Sequence, residues 1–475
     1  MIDYPEQQEN FKLNHSNMLK RLFKLFAILS LATPILAQRS NKVSYVNLAN
    51  RANAPQIFID DIILPTEDGK ASLSLIFRFD NDFLPYKKIS PSDDIAAPKD
   101  MQFFTIARLN SEIFMGKASR RNSSSVETVS RDLWSDTLFT KTFEETESKN
   151  LYASGSLSNT LDPGTYNYVL QLSLMENTRD RNSSRQNVRI WDWENKPTGE
   201  TYIIKEKTSD DRLKLMNLND NVLFGKDFMM LVRIPKYSDE NEYSLEVFKA
   251  RPNRKDTLKA ETVYSSTISN QQVQNGVIPI LSKGEEPSLS FEETDMNFDY
   301  VLLSIPNSTF ENSAYVIEIK SSGSEKPLVK SFFRSYWQNM PASLLNLDIA
   351  IENMKFIVNE EEIKRLKSGN DQEKEKKFRA FWDSKDPTPN TVYNELMAEY
   401  YRRVDFAFKE YRNPGNPIGY ESDQGEIYIK FGPPDSKDRQ FPTNGKVLEV
   451  WTYPKRTFLF EKTTGFGDFV LLKAE

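Results

Sequence analysis

Residues Phe378–Pro434 read FRAFWDSKDPTPNTVYNELMAEYYRRVDFAFKEYRNPGNPIGYESDQGEIYIKFGPP, and no other stretch of the chain is so dense in aromatics, turn residues and helical periodicity. From Tyr393 to Tyr411 the apolar residues Tyr393, Leu396, Met397, Tyr400, Val404, Phe408 and Tyr411 recur every three or four positions. That spacing puts them on one face of a helix of about five turns, buried along one side. Asp386-Pro387-Thr388-Pro389-Asn390-Thr391 precedes it, where two prolines block an earlier helical run and Asn390 or Thr391 offers an N-cap. Asn413-Pro414-Gly415-Asn416-Pro417 ends it. Beyond this loop, Ile427, Ile429 and Phe431 alternate, which predicts a half-buried strand over Glu426–Phe431.

Several linked motifs stand here in one order: Phe381-Trp382, then Asp386-Pro387-Thr388-Pro389, Asn394-Glu395, Glu399-Tyr400-Tyr401, Gly419-Tyr420-Glu421-Ser422-Asp423 with Gly425, and Ile427 to Asp435 ending in Gly432-Pro433-Pro434-Asp435. In that combination the last third of the chain resembles the GWxTD-domain family of bacterial secreted proteins. Gly419 and Asp423 match the naming motif, while Tyr420 stands where the family has Trp and Ser422 where it has Thr. The resemblance implies a domain and an exported location, without a reaction.

The chain has 475 residues, more than one hydrophobic core usually organises, and 38% hydrophobic with 12% aromatic content can fill several. Its 62 basic and 68 acidic residues give a net charge of −6, which argues against a nucleic-acid partner, because phosphate binding needs a basic face. Cysteine is absent and the single histidine is His15. Lys20-Arg21-Leu22-Phe23-Lys24, the apolar run Leu25–Leu31 and Ala37 before Gln38 describe a secretory signal peptide, translated from Met1 or Met18. The run is too short, and too soon interrupted by Pro34, to span a bilayer, so no integral membrane segment is expected after cleavage. A mature chain beginning near Gln38 then holds neither Cys nor His. That excludes Ser-His-Asp and Cys-His catalysis, the usual zinc ligand sets and a lipidated cysteine, and no cofactor is expected.

Short alternating segments with polar turns fill the middle of the chain: Gln56–Leu64, Ala71–Phe79, Met101–Asn110 and Tyr166–Leu174, then Asp227–Ile234, Glu242–Phe248, Asp299–Ile305, Ala314–Ile319 and Leu328–Phe333. They predict two immunoglobulin-like β-sandwich modules, at 42–208 and 209–338, after a leader and signal peptide at 1–37. A C-terminal α+β domain follows at 341–475, with helices packed on a small antiparallel sheet. In it, Ser343 should cap a helix carrying Leu344, Leu347, Ile351 and Met354, and the charged run Glu360–Lys377 should form solvated helix faces. Asn444-Gly445 marks a turn between its strands.

Without His or Cys, chemistry falls to carboxylates, and Asp386, Glu395, Glu399, Asp423 and Asp435 are the candidates because they cluster among the aromatics. Paired carboxylates hydrolyse glycosidic bonds when held at the right separation. Each also has a structural reading: Asp386 and Asp435 fix turns, Asp423 accepts the Gly425 amide, and Glu399 pairs with Arg403. Gly419, Gly425 and Gly432 fit no phosphate-loop spacing and suggest positive backbone dihedrals. Trp382 should be buried against the long helix. Asp80-Asn81-Asp82 reads as a turn, and the Arg-rich loops 120–124 and 179–185 as solvated loops or a local basic patch. Trp382, Asp386, Glu395, Gly419, Tyr420, Ser422, Asp423, Gly425, Gly432 and Asp435 are thus the motif and interaction candidates. The expected role is recognition of another cell-envelope protein or peptide, and the alternative is a carboxylate-dependent hydrolase of a glycan or peptide.

Overall fold

The computed structural model describes residues 45–474 apart from 53–56, 119–126, 176–179, 194–198, 253–256, 283, 285, 325, 414–416, 444 and 464–468. The leader with its signal peptide, the loop 120–124, the centre of the loop after the long helix, and Asn444 lie outside these residues. The chain is mostly β, in sheets whose strands pair antiparallel apart from Asn221–Leu223, which runs parallel to Val329–Tyr336.

A three-stranded sheet is formed by Ile57–Pro65, Ala71–Asp80 and Tyr152–Leu161, in that order. Phe103–Met115 and Gly164–Leu174 form the centre of a second sheet, where Tyr166, Tyr168, Leu170, Leu172 and Leu174 all face the core as their alternation predicts. Thr201–Lys207 pairs with Phe228–Pro235 and so belongs to a seven-stranded sheet in the second half of the β region. A five-stranded sheet, which includes Tyr243–Pro252, Ala314–Ser321 and Val329–Tyr336, covers one side of it.

The seven-stranded sheet is buried on both faces. Met230, Val232 and Ile234 point into the core shared with the five-stranded sheet, while Leu231 joins Phe298, Tyr300, Leu289 and Tyr202 in a core continuous with Phe77, Leu157, Ile113 and Tyr168. The Tyr202 hydroxyl donates to the Ile63 carbonyl at 2.7 Å across that boundary. The two β units therefore share a core.

The helices are α1 (Tyr45–Ala52), α2 (Leu347–Asn353), α3 (Glu360–Lys367), α4 (Asp371–Asp383), α5 (Glu395–Glu410) and α6 (Asp423–Phe431). A one-turn helix at Phe143–Thr146 sits apart from them. Four sequence expectations are corrected here. Asn346, and not Ser343, caps α2, its side chain accepting from the Ile349 amide. Asn394, and neither Asn390 nor Thr391, caps α5 by accepting from the Met397 amide at 2.8 Å. Leu396 is exposed, and Tyr401 and Ala407 complete the buried face in its place. The largest difference is α6, because Glu426–Phe431 is helical rather than extended. Ile429 packs among the helices, whereas Ile427 and Tyr428 pack on Trp451, Phe458 and Phe460 of the C-terminal sheet. That sheet runs Ser436–Gln440, Leu448–Tyr453, Arg456–Lys462 and Phe469–Ala474, with the first and last strands at its edges. Among the described residues no helix is long and apolar enough to cross a membrane.

Candidate functional site

The motif Gly419-Tyr420-Glu421-Ser422-Asp423 forms the connection from α5 to α6, and its residues work at close range. Gly419 is pressed against the end of α5, where a Cβ would meet the Ala407 carbonyl and come within 2.6 Å of the Arg412 nitrogen. Gly425 sits on the Gly419 carbonyl and 2.9 Å from the Tyr420 Cα by the same measure. Neither glycine has a positive φ, contrary to expectation; of the three, only Gly432 does, at +79°, where it ends α6. Ser422 bridges the turn: its hydroxyl donates to the Gly419 carbonyl at 2.7 Å and accepts from the Gly425 amide at 3.0 Å. It is the N-cap of α6, and it takes the Gly425 amide that Asp423 is expected from the sequence to accept. The Asp423 carboxylate instead accepts from the Leu471 amide at 2.7 Å and ties α6 to the last strand.

Tyr420 is half-buried. Its ring packs on Tyr45 of α1 at 5.5 Å between centroids, on Phe408 at 6.1 Å and on Phe356 at 6.3 Å, and the Lys355 ammonium lies 5.6 Å from its centre. Lys355 also pairs with Glu421 at 3.1 Å. Beside this cluster Asp405, in α5, accepts from the Tyr45 hydroxyl, from the Ala342 amide at 2.5 Å and from the Ser343 hydroxyl at 2.9 Å. Burial raises the Asp405 pKa above its ordinary value, and the hydrogen bonds from Tyr45, Ala342 and Ser343 only partly offset it. The residue joins three segments of the chain. Sequence reasoning missed it, although an acid inside Val404-Asp405-Phe406-Ala407-Phe408 was the available signal.

The remaining carboxylate candidates point to local partners. Asp386 accepts from the Thr388 amide at 2.9 Å, as an Asp before Pro in a turn does. Glu395 accepts from the Thr388 hydroxyl. Glu399 bonds Arg402 at 2.7 Å and Arg403 at 2.7 Å, and these bonds, ahead of desolvation, hold its pKa low. Asp435 is exposed, and its backbone amide donates to the Thr452 carbonyl. Trp382 is 2% exposed, with its ring 5.4 Å from Tyr400 and 5.6 Å from Tyr401. Of the ten candidates, Gly419, Tyr420, Ser422, Asp423 and Gly425 meet in one turn; Trp382, Asp386 and Glu395 lie at the other end of α5. Arg181 and Arg185 lie over the rings of Phe83 and Phe114 at 5.6 and 4.4 Å. Among the described residues no group of His, Asp or Glu gathers as metal ligands would.

Residues 313–468 match the family model of the GWxTD domain, a span that also takes in two strands of the five-stranded sheet. Among solved structures, the type II cohesin dyad from the adaptor ScaA scaffoldin of Acetivibrio cellulolyticus is similar at 10% identity and a TM-score of 0.16, over 58% of this chain and 92% of that one. No curated protein matches the chain.

Proposed function

Because this chain carries a GWxTD domain, we propose that it is an exported, envelope-associated binding or scaffold protein that recognises another envelope protein or a peptide, without catalytic activity. In this reading two immunoglobulin-like β-sandwich modules carry the α+β domain. Antiparallel sheets facing each other across apolar cores support that layout. The observation that carries the functional reading is the use of the carboxylates. Asp386, Glu395, Glu399 and Asp423 accept from a turn amide, a hydroxyl, two guanidinium groups and a strand amide, the arrangement of groups that hold a framework. A general acid and its partner carboxylate would instead face each other across an open cleft. The acidic net charge is consistent with a protein or peptide partner over nucleic acid.

Affinity purification of the tagged chain from its native envelope is expected to recover a stoichiometric protein or peptide partner, and the purified pair should rebind. Asp386→Asn and Glu395→Gln should leave that affinity within about twofold, since exposed hydrogen bonds contribute little. A glycan or peptide turned over by the wild type and not by either variant would replace this reading with the hydrolase. Export predicts a mature terminus near Gln38, and mass spectrometry finding an intact Met1 or Met18 terminus in the envelope fraction would refute it.

A further inference from the structure

A strand at the edge of a sheet leaves a row of backbone N–H and C=O groups that a second strand can take up. Several such edges in this molecule are obstructed. In Ile57–Pro65 the Ile59 amide donates to the Asn219 side chain at 2.6 Å, and in Tyr152–Leu161, on the other side of the same sheet, the Ser158 amide donates to Asp132 at 2.9 Å. Thr128–Thr140 pairs only with Phe103–Met115 and blocks its own margin, the Leu133 and Thr137 amides donating to Asp132 and Asp136, each at 2.8 Å. Val277–Ser282, at one end of the seven-stranded sheet, carries Pro279. Ser436–Gln440 is exposed throughout and charged at Lys437, Asp438 and Arg439.

Thr257–Ile268, the outer strand of the five-stranded sheet, differs from these. It pairs only with Tyr243–Pro252, and the irregularities of that pairing begin at Phe248. From Val247 opposite Tyr264 to Tyr243 opposite Ile268 the register runs unbroken, which leaves five regular residues, a margin of roughly 17 Å. The sequence from Thr262 to Ile268, Thr-Val-Tyr-Ser-Ser-Thr-Ile, holds neither a charge nor a proline. Ser265 and Thr267 are exposed, while Tyr264, Ser266 and Ile268 stand opposite the buried Val247, Leu245 and Tyr243. Among the described residues no hydrogen bond from outside the sheet reaches Tyr264–Ile268.

We propose that this margin joins two copies of the chain, their Tyr264–Ile268 strands pairing antiparallel about a two-fold axis at Ser266, so that the two five-stranded sheets become one continuous sheet. In that register Ser265 stands opposite Thr267 of the second copy on each side of the axis, an exposed hydroxyl against an exposed hydroxyl, a pairing that favours a sheet. Ser266 meets Ser266, Tyr264 meets Ile268, and no like charges meet. An uncharged strand has nothing to select a foreign partner by its charge. A second copy also closes the assembly: each chain brings one such margin and the two satisfy one another, as an isologous contact requires, whereas a foreign strand would leave its own far side unpaired. The contact does not rest on the envelope partner proposed above.

Sedimentation equilibrium on the full mature chain tests this, and is expected to show a dimer that dissociates on dilution. Ser265→Lys with Thr267→Lys sets lysine against lysine on both sides of the axis and should weaken the dimer about tenfold or more. Ser265→Lys with Thr267→Glu sets each lysine against a glutamate of the other copy and should bring the affinity back to within about twofold of wild type. Both positions are exposed, so both variants should melt as the wild type does. In the wild type, hydrogen exchange of the amides from Tyr264 to Ile268 should slow as the dimer forms, a readout that needs no variant to fold. A chain that stays monomeric at every concentration overturns the proposal. A dimer as tight in the lysine pair as in the wild type, or one that leaves exchange in this strand unchanged, places the contact elsewhere and overturns it too. Protection of the strand that appears only when a different envelope protein is bound gives the margin to a foreign strand, again against the proposal.

Discussion

A methyl group on Gly419 would land on backbone atoms at the end of α5 rather than on a side chain that could swing away. Gly419→Ala is therefore expected to destabilise the C-terminal domain by about 1–3 kcal/mol, towards the upper end because the obstacle is main chain. Ser422→Ala removes the cap of α6 and should cost about 1 kcal/mol, whereas Ser422→Thr, which restores the family's residue, should cost little, since Thr also caps. Trp382→Ala empties a site closed by Tyr400 and Tyr401, with an expected loss of about 3–5 kcal/mol in chemical denaturation. A variant melting like wild type would mean that Trp382 is exposed. Asp60 gives a pH signature. Desolvation first, and then the neighbouring Asp220 carboxylate, push its pKa up to about 7. An acid raised on folding binds its proton more tightly in the folded chain, so its stabilisation is full below about pH 4 and lost as pH rises through about 7. The melting temperature should fall between about pH 4 and 7, and Asp60→Asn, which keeps an acceptor for Asn219, should flatten that fall.

Why α5 was legible in the sequence and α6 was not follows from what each touches. α5 presents one face to a core, so its apolar residues repeat at three and four, with Leu396 the exception. α6 is wedged between the helices and the C-terminal sheet: Ile429 serves one core, Ile427 and Tyr428 the other, and Gln424 and Gly425 are buried as well. A helix buried nearly all round has no amphipathic period, and Ile427, Ile429 and Phe431 then imitate a strand. Asp405 was illegible for another reason, since its partners Tyr45 and Ala342 lie 360 and 63 positions away in sequence. The turns fared better, because Asp386 accepts from the Thr388 amide only two residues away. At the end of α6, Gly432 has φ +79° and ψ −164°, a region nearly reserved for glycine. Gly432→Ala should cost about 1–3 kcal/mol, measured by denaturant unfolding.

Across the whole molecule, the sheet that contributes Leu231 to one core and Met230 and Val232 to another binds the β units into one cooperative body. Calorimetry is expected to show a single transition for both β units, in place of the two that separate modules would give. Trp382→Ala should lower the transition of the C-terminal domain and leave that one in place. The N-terminal helix α1 crosses between the regions: Tyr45 packs 4.5 Å from Phe408 and donates to Asp405, and Leu48 and Ala49 join Ala342 and Phe408 in a small core. Tyr45→Ala should therefore expose α1 to proteolysis without shifting the main β transition.

The bond from the Leu471 amide to Asp423 also bears on how copies of this chain behave in company. Leu471 lies on the last strand of its sheet, flanked by Val470 and Leu472 at 41% and 53% exposure, and such a margin invites pairing with a neighbouring chain. The carboxylate occupies an amide that an incoming strand would need, so removing it is expected to open this margin to self-association. On prolonged incubation Asp423→Ala should form thioflavin-positive aggregates faster than wild type, while Asp423→Asn, which still accepts from Leu471, should stay dispersed.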